Sequence, residues 1–265
     1  MDLMRARVAL RERPLLDVLD LSVRFCAENA GSYAKVSAAV LVPAFALSWA
    51  AAAAAGWWLG WTAALALAAF ADAPFVALAS RLVFEDKVRA REAIRASWRA
   101  LPVLLGARLL QALAVVTSLA LLVVPWLYVG AVLLFCVEVV VLERATVRGA
   151  ISRAQAIASS RFGAALGAMV VLLAIRVLIT IVADVAGREA ISEILEFRAP
   201  PSATETGGSW LALLGWWSTV PILATARFFT YLDVRTRSEG WDIQTRFAAI
   251  ATRTAARLAE QGSLS

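Results

Sequence analysis

Residues 85–124 read EDKVRAREAIRASWRALPVLLGARLLQALAVVTSLALLVV. Over residues 85–100, Arg89, Glu92, Arg95 and Arg99 recur every three or four positions. Ala90, Ala93, Ile94, Ser97 and Trp98 fall between them, which is the spacing of an amphipathic helix. From Leu101 the sequence turns apolar for long enough to cross a bilayer, whose hydrocarbon core of ~30 Å needs roughly 20 residues of helix. The stretch therefore predicts a helix on the membrane surface feeding directly into one that crosses the membrane.

The rest of the chain fits that beginning. Its 265 residues are 61% hydrophobic, with a mean hydropathy of +0.74, against about half apolar for an ordinary soluble domain. The excess lies in long blocks that a water-soluble core could not hide, so the predicted class is an all-α polytopic membrane protein. The net charge of +6 is carried almost wholly by arginine, with Lys35 and Lys87 the only lysines. The arginines bracket the apolar blocks, as the positive-inside rule expects of cytoplasmic loops, so no nucleic-acid partner is expected. Cys26 and Cys136 fall on a surface helix and inside a span, which argues against a disulfide framework. The start, MDLMRARVALRERP, has no apolar signal-peptide core and is expected to be a retained cytoplasmic segment.

Working outward, the expected device occurs three times. Pro14 suits a first helical turn. After it Asp17, Asp20, Arg24 and Glu28 line one face and Leu15, Leu19, Val23 and Cys26 the other, with Asp20–Arg24 and Arg24–Glu28 at pairing distance along the helix. Later, Arg144, Arg148, Ser152, Gln155 and Ser159 form a polar stripe against Val147, Ile151, Ala154 and Ala158. The six spans are placed at about Tyr33–Ala55, Trp57–Phe84, Leu101–Val124, Trp126–Leu142, Phe162–Val185 and Trp210–Leu232. Uncharged turns rich in tryptophan, at 57, 58, 61 and 126, with 210, 216 and 217 opening the last span, mark the other membrane face. The connection from Ala186 to Ser209 is acidic and is expected outside, a short helix near Arg188–Phe197 followed by a flexible remainder. Residues 1–265 thus form one transmembrane domain of three hairpins, 14–84, 85–142 and 143–232, each preceded by a cytoplasmic surface helix. Both termini are expected inside, with an amphipathic tail over 233–265 whose stripe is Ile243, Phe247, Ile250 and Leu258.

Two segments, Arg13-Pro14-Leu15-Leu16-Asp17-Val18-Leu19-Asp20 and Tyr231-Leu232-Asp233-Val234-Arg235-Thr236-Arg237-Ser238-Glu239-Gly240-Trp241-Asp242, resemble the membrane domain that accompanies some glycerophosphoryl diester phosphodiesterases. Related uncharacterised bacterial proteins with six spans share this domain. The resemblance implies the membrane fold and a bacterial plasma (inner) membrane location. It does not carry over the hydrolase activity, which resides in a separate soluble barrel built on histidines and metal-binding carboxylates, because this chain has no histidine.

Site signals are confined to charges inside spans, each costing at least ~2.5 kcal/mol near the bilayer centre on insertion scales. Asp72, two residues before Pro74, and Arg176 are expected to pair if their spans touch, either fixing helix register or forming a substrate or proton site. Arg108 and Glu138, on adjacent spans, are expected to form a salt bridge or a relay. Arg227 is expected to snorkel to the interface or to meet an anionic headgroup. Asp184 is expected to be solvated, and Gly163 and Gly167 to mark close helix packing. Arg89, Arg95, Arg99, Arg148 and Arg153 are candidate contacts for anionic phospholipid headgroups.

There is no P-loop motif, and without histidine no serine triad or ordinary zinc site can be built. No catalytic residue, metal or cofactor is expected. The leading expectation is a non-catalytic inner-membrane scaffold, assembly or lipid-organising subunit, with membrane lipids and other membrane subunits or further copies of itself as partners. The alternative is a small transporter or channel with a polar path among spans two, five and six. A weaker one is a membrane enzyme acting on lipid phosphodiesters.

Overall fold

A computed structural model describes residues 14–238 apart from 86, 87, 122 and 199. The amino-terminal segment and the stripe expected at Ile243, Phe247, Ile250 and Leu258 lie outside the described residues. Eleven α-helices and no strand occur among the described residues. Six helical stretches are long and apolar enough to cross a membrane, making this a multi-pass membrane protein.

Helix α1 (Leu15–Glu28) stops at Asn29, whose side chain donates to the Phe25 carbonyl at 2.9 Å and so satisfies one of the carbonyls a helix end leaves open. Helix α2 (Ala30–Ala55) and helix α3 (Trp57–Leu82) pack along each other across Gly56, which adopts φ +92°. Their approach is close at Gly60, where a Cβ would lie 2.6 Å from the Ala52 Cβ. Helix α4 (Ala90–Leu121) is continuous through Pro102. The amphipathic stretch ending at Ala100 is therefore no separate surface helix but the first turns of a helix about 48 Å long at 1.5 Å per residue, which extends well beyond a bilayer core. Helix α5 (Val123–Val132) is separated from α6 (Cys136–Glu143) by a turn at residues 133–135, and the two together make the fourth apolar stretch. Helix α7 (Val147–Ser160) is a distinct helix; the Thr146 side chain accepts from the Gly149 N–H at its start, and it breaks at Arg161.

Helix α8 (Phe162–Glu189) continues into a π-helical turn at Ala190–Ile194. The segment after it contains one more short helix. Helix α9 (Ala203–Thr206) is opened by a reciprocal capping box between Ser202 and Glu205. Hydrogen bonds from the Ser202 backbone N–H and hydroxyl hold the Glu205 carboxyl below its usual range. Asp184 is buried and accepts from the Ala203 N–H at 3.1 Å and from the Ser209 hydroxyl, so it is not solvated as expected. Ser209 in turn caps helix α10 (Trp210–Ser218), and α11 (Val220–Ser238) completes the last stretch. Trp61 donates its indole N–H to the Gly207 carbonyl at 3.0 Å, pinning this loop over the tryptophan-rich end.

Helices α3 and α10–α11 are mostly buried, whereas few residues of α4 and α8 are buried and the two helices carry the rows of exposed leucine, isoleucine and valine suited to lipid. Gly163 and Gly167 face open space: an added Cβ would meet nothing within 4 Å, so the expected close packing does not occur within the chain. Helix α1 lies against α11 through Val18, Ser22 and Phe25, with Phe25 edge-on to Phe229 at 5.2 Å. Its outer face keeps the exposed Asp20–Arg24 pair (2.9 Å). Cys26 and Cys136 are both free.

Candidate functional site

The costly intramembrane charges gather in the middle of the bundle. Arg227 on α11 donates through Nη1 to Asp72 Oδ2 on α3 at 2.7 Å and through Nε to Glu138 Oε1 on α6 at 2.6 Å. The Glu138 side chain is fully buried, and those of Asp72 and Arg227 are 7% and 12% exposed. Arg227 therefore does not snorkel outward; two carboxylates hold it inside. Arg108 on α4 reaches Asp72 at 3.7 Å rather than Glu138. It also donates through Nε to the Ala69 carbonyl at 3.0 Å, in the turn before Pro74, and through Nη1 to Gln111 at 2.8 Å. Gln111 passes the connection on, donating to the Leu133 carbonyl at 3.2 Å, a group that at the break between α5 and α6 also accepts from the Cys136 N–H at 3.2 Å.

Arg176 is not paired with Asp72. Its guanidinium lies 4.6 Å from the centre of the Trp216 ring, a cation–π contact made because α8 packs along α10. The cluster thus sets three guanidinium groups against two carboxylates. Asp72 Oδ1, Glu138 Oε2, Arg227 Nη2 and Arg176 Nε are buried without a hydrogen-bond partner.

A second site lies at the arginine-rich end. A cavity of about 760 Å³ opens between the ends of α3, α4 and α6. Small side chains leave the space: Ala77 of α3 and Ala96 and Ala100 of α4 stand where larger residues would fill it, with Val103, Val140 and Val141 also lining it. Around them stand Arg81, Arg95, Arg99 and Arg144, with one acid, Glu92, bound to Arg81 at 3.0 Å. Arg95 and Arg99 share a face because they are four residues apart on α4. Arg144 ends α6 in the left-handed conformation (φ 52°), a position that favours glycine, and lines the cavity from there. Among the described residues Arg95, Arg99 and Arg144 form no ion pair.

Glu143, just before Arg144, fixes that end of α6. It accepts from the Tyr231 hydroxyl at 2.7 Å and lies 3.2 Å from Arg235 and 3.4 Å from Arg153, joining α6 to α7 and α11. Of the five arginines expected at lipid headgroups, Arg95 and Arg99 line the cavity, Arg89 and Arg148 are exposed elsewhere, and Arg153 is engaged by Glu143. Arg81 and Arg144 were not among them. Their signal is that each terminates a span at the same membrane face as the α4 arginines. No group of metal-ligating side chains occurs among the described residues. Compared with known family models, with curated proteins and with solved structures, the chain finds no match.

Proposed function

We propose that the chain is a non-catalytic inner-membrane protein that binds anionic phospholipid headgroups at its arginine-rich face and acts as a lipid-organising or assembly subunit. The arginine-lined cavity carries this reading: it joins three arginines that form no ion pair among the described residues to an apolar floor at the end of membrane-crossing helices, the combination an amphiphile with an anionic head requires. The arginine bias supports putting this face, with both termini, on the cytoplasmic side. The layout is then three helical hairpins, with α1 and α7 as separate cytoplasmic amphipathic helices and the start of α4 as the third. The resemblance to a membrane domain found beside phosphodiesterases agrees with a helper role rather than a catalytic one. Quantifying phospholipids that copurify in mild detergent tests the reading. Wild-type protein should retain anionic lipid above its share in the membrane, and R95Q/R99Q should lose most of that excess; an unenriched wild type, or an unchanged variant, would refute it.

One observation favours the transporter alternative: the unpaired polar atoms of Asp72, Arg176 and Arg227 lie on spans two, five and six. Under that reading R176Q folds normally yet abolishes uptake in a proteoliposome assay. Under the lipid-organising reading there is no uptake to lose.

A further inference from the structure

We propose that the cavity between α3, α4 and α6 is matched to a lipid bearing two phosphate groups rather than one. The inference rests on the lipid-binding reading above and specifies its ligand. Four arginines face the cavity and Glu92 offsets Arg81, which leaves Arg95, Arg99 and Arg144 without an acidic partner among the described residues. A lipid with one phosphodiester brings a single negative charge to three such groups; a second phosphate brings another.

The three arginines come from two walls. Arg95 and Arg99 are one turn apart on α4, while Arg144 belongs to the end of α6 and is held by a backbone anchored through Glu143 to α11. Phosphates favour bidentate arginine contacts, so one phosphate is expected on the α4 pair and the second on Arg144. A volume of about 760 Å³ is well beyond a single phosphate and within the ~300–1,000 Å³ range of pockets that enclose organic ligands. A lipid, not a soluble polyanion, is the expected occupant. The floor is alanine and valine, and on α4 the residues after Ala100 turn outward as exposed Leu101 and Leu105, a surface along which acyl chains can leave the cavity.

The test titrates full-length protein in phosphatidylcholine nanodiscs with cardiolipin or phosphatidylglycerol, read by native mass spectrometry, and adds inorganic pyrophosphate as a soluble competitor. Cardiolipin should bind at least about tenfold tighter than phosphatidylglycerol, since one more charged hydrogen-bonded contact is worth about that factor or more. Pyrophosphate should compete only weakly. R144G removes the second-phosphate contact while suiting the left-handed backbone there, and should abolish the preference while changing phosphatidylglycerol affinity less than about threefold. Equal affinity for the two lipids would overturn this inference and leave anionic-lipid binding standing. Pyrophosphate binding as tight as cardiolipin would overturn the lipid source, and binding of neither lipid would overturn both readings.

Discussion

Replacing Arg227 with methionine removes the one group that bridges Asp72 and Glu138. Glu138 then keeps a fully buried side chain with no cation at hydrogen-bonding distance, and Asp72 keeps only Arg108 at 3.7 Å. Removing one partner from a buried ion pair costs about 3–5 kcal/mol, because the remaining charge stays desolvated. Here two carboxylates are left, so R227M should fall in that range or above it. At about 2–4 °C per kcal/mol for a chain of this size, the apparent melting temperature should drop by about 6–20 °C. Adding E138Q should recover part of the loss, since a neutral amide in that site no longer demands a counter-charge, and the recovery measures the coupling between the two positions. The assay is fluorescence-detected unfolding of detergent-solubilised protein, with equilibrium denaturation in mixed micelles for the free energies. A melting temperature for R227M within about 3 °C of wild type, or no recovery from E138Q, would show that the cluster does not hold α3, α6 and α11 together.

Four further outcomes are expected. Gly215→Leu should destabilise by at least about 1–3 kcal/mol, since even a Cβ there lies 2.6 Å from Ala183 and 2.9 Å from the Ile179 carbonyl. Gly163→Ala should instead be neutral or raise stability by up to about 1 kcal/mol, as the space is open and alanine is the better helix former; equal losses in thermal unfolding would contradict both. Cys26, packed toward Thr225 with burial pushing its thiol up, should alkylate in a C136A background much more slowly than a free thiol at neutral pH. Rapid maleimide labelling would mean that α1 does not rest on α11. Reporter fusions after Ser202 should report the outer side and after Glu260 the cytoplasm, and the reverse would invert the assigned orientation.

The spans were legible because membrane solvation leaves little choice: long apolar blocks must be helices, and the turn at Gly56 was marked by the tryptophans that follow it. The intramembrane charges were legible as a set, for their cost alone singles them out. Their partners were not. A span apolar on all sides carries no periodic signal of how it is rotated about its axis, and Arg227 lies 155 and 89 residues from Asp72 and Glu138. Arg176 went to Trp216 because α8 packs along α10, a neighbour relation invisible in either segment. Asp184 looked solvated from its place near a span end, and only the return of the loop to Ser209 buries it. A surface helix ending at Ala100 and a span beginning at Leu101 were expected where a single helix runs through. The cavity was half legible: Arg95 and Arg99 stood out by spacing, but Arg81 and Arg144 acquire meaning only when three helix ends converge.

The two ends of the bundle are fastened by different chemistry. At the tryptophan-rich end the fasteners are a buried Asp184, the Ser202–Glu205 box and an indole bonded to a carbonyl, hydrogen bonds rather than pairs of opposite charges and so less sensitive to dissolved ions. At the arginine-rich end they are Glu143 with Arg153 and Arg235, and Arg81 with Glu92, several of them partly exposed, and screening at ~8–10 Å under ordinary ionic strength reaches them. Raising salt should therefore loosen one mouth of the protein while the other stays shut, so that hydrogen exchange quickens near Glu143 and not near Asp184.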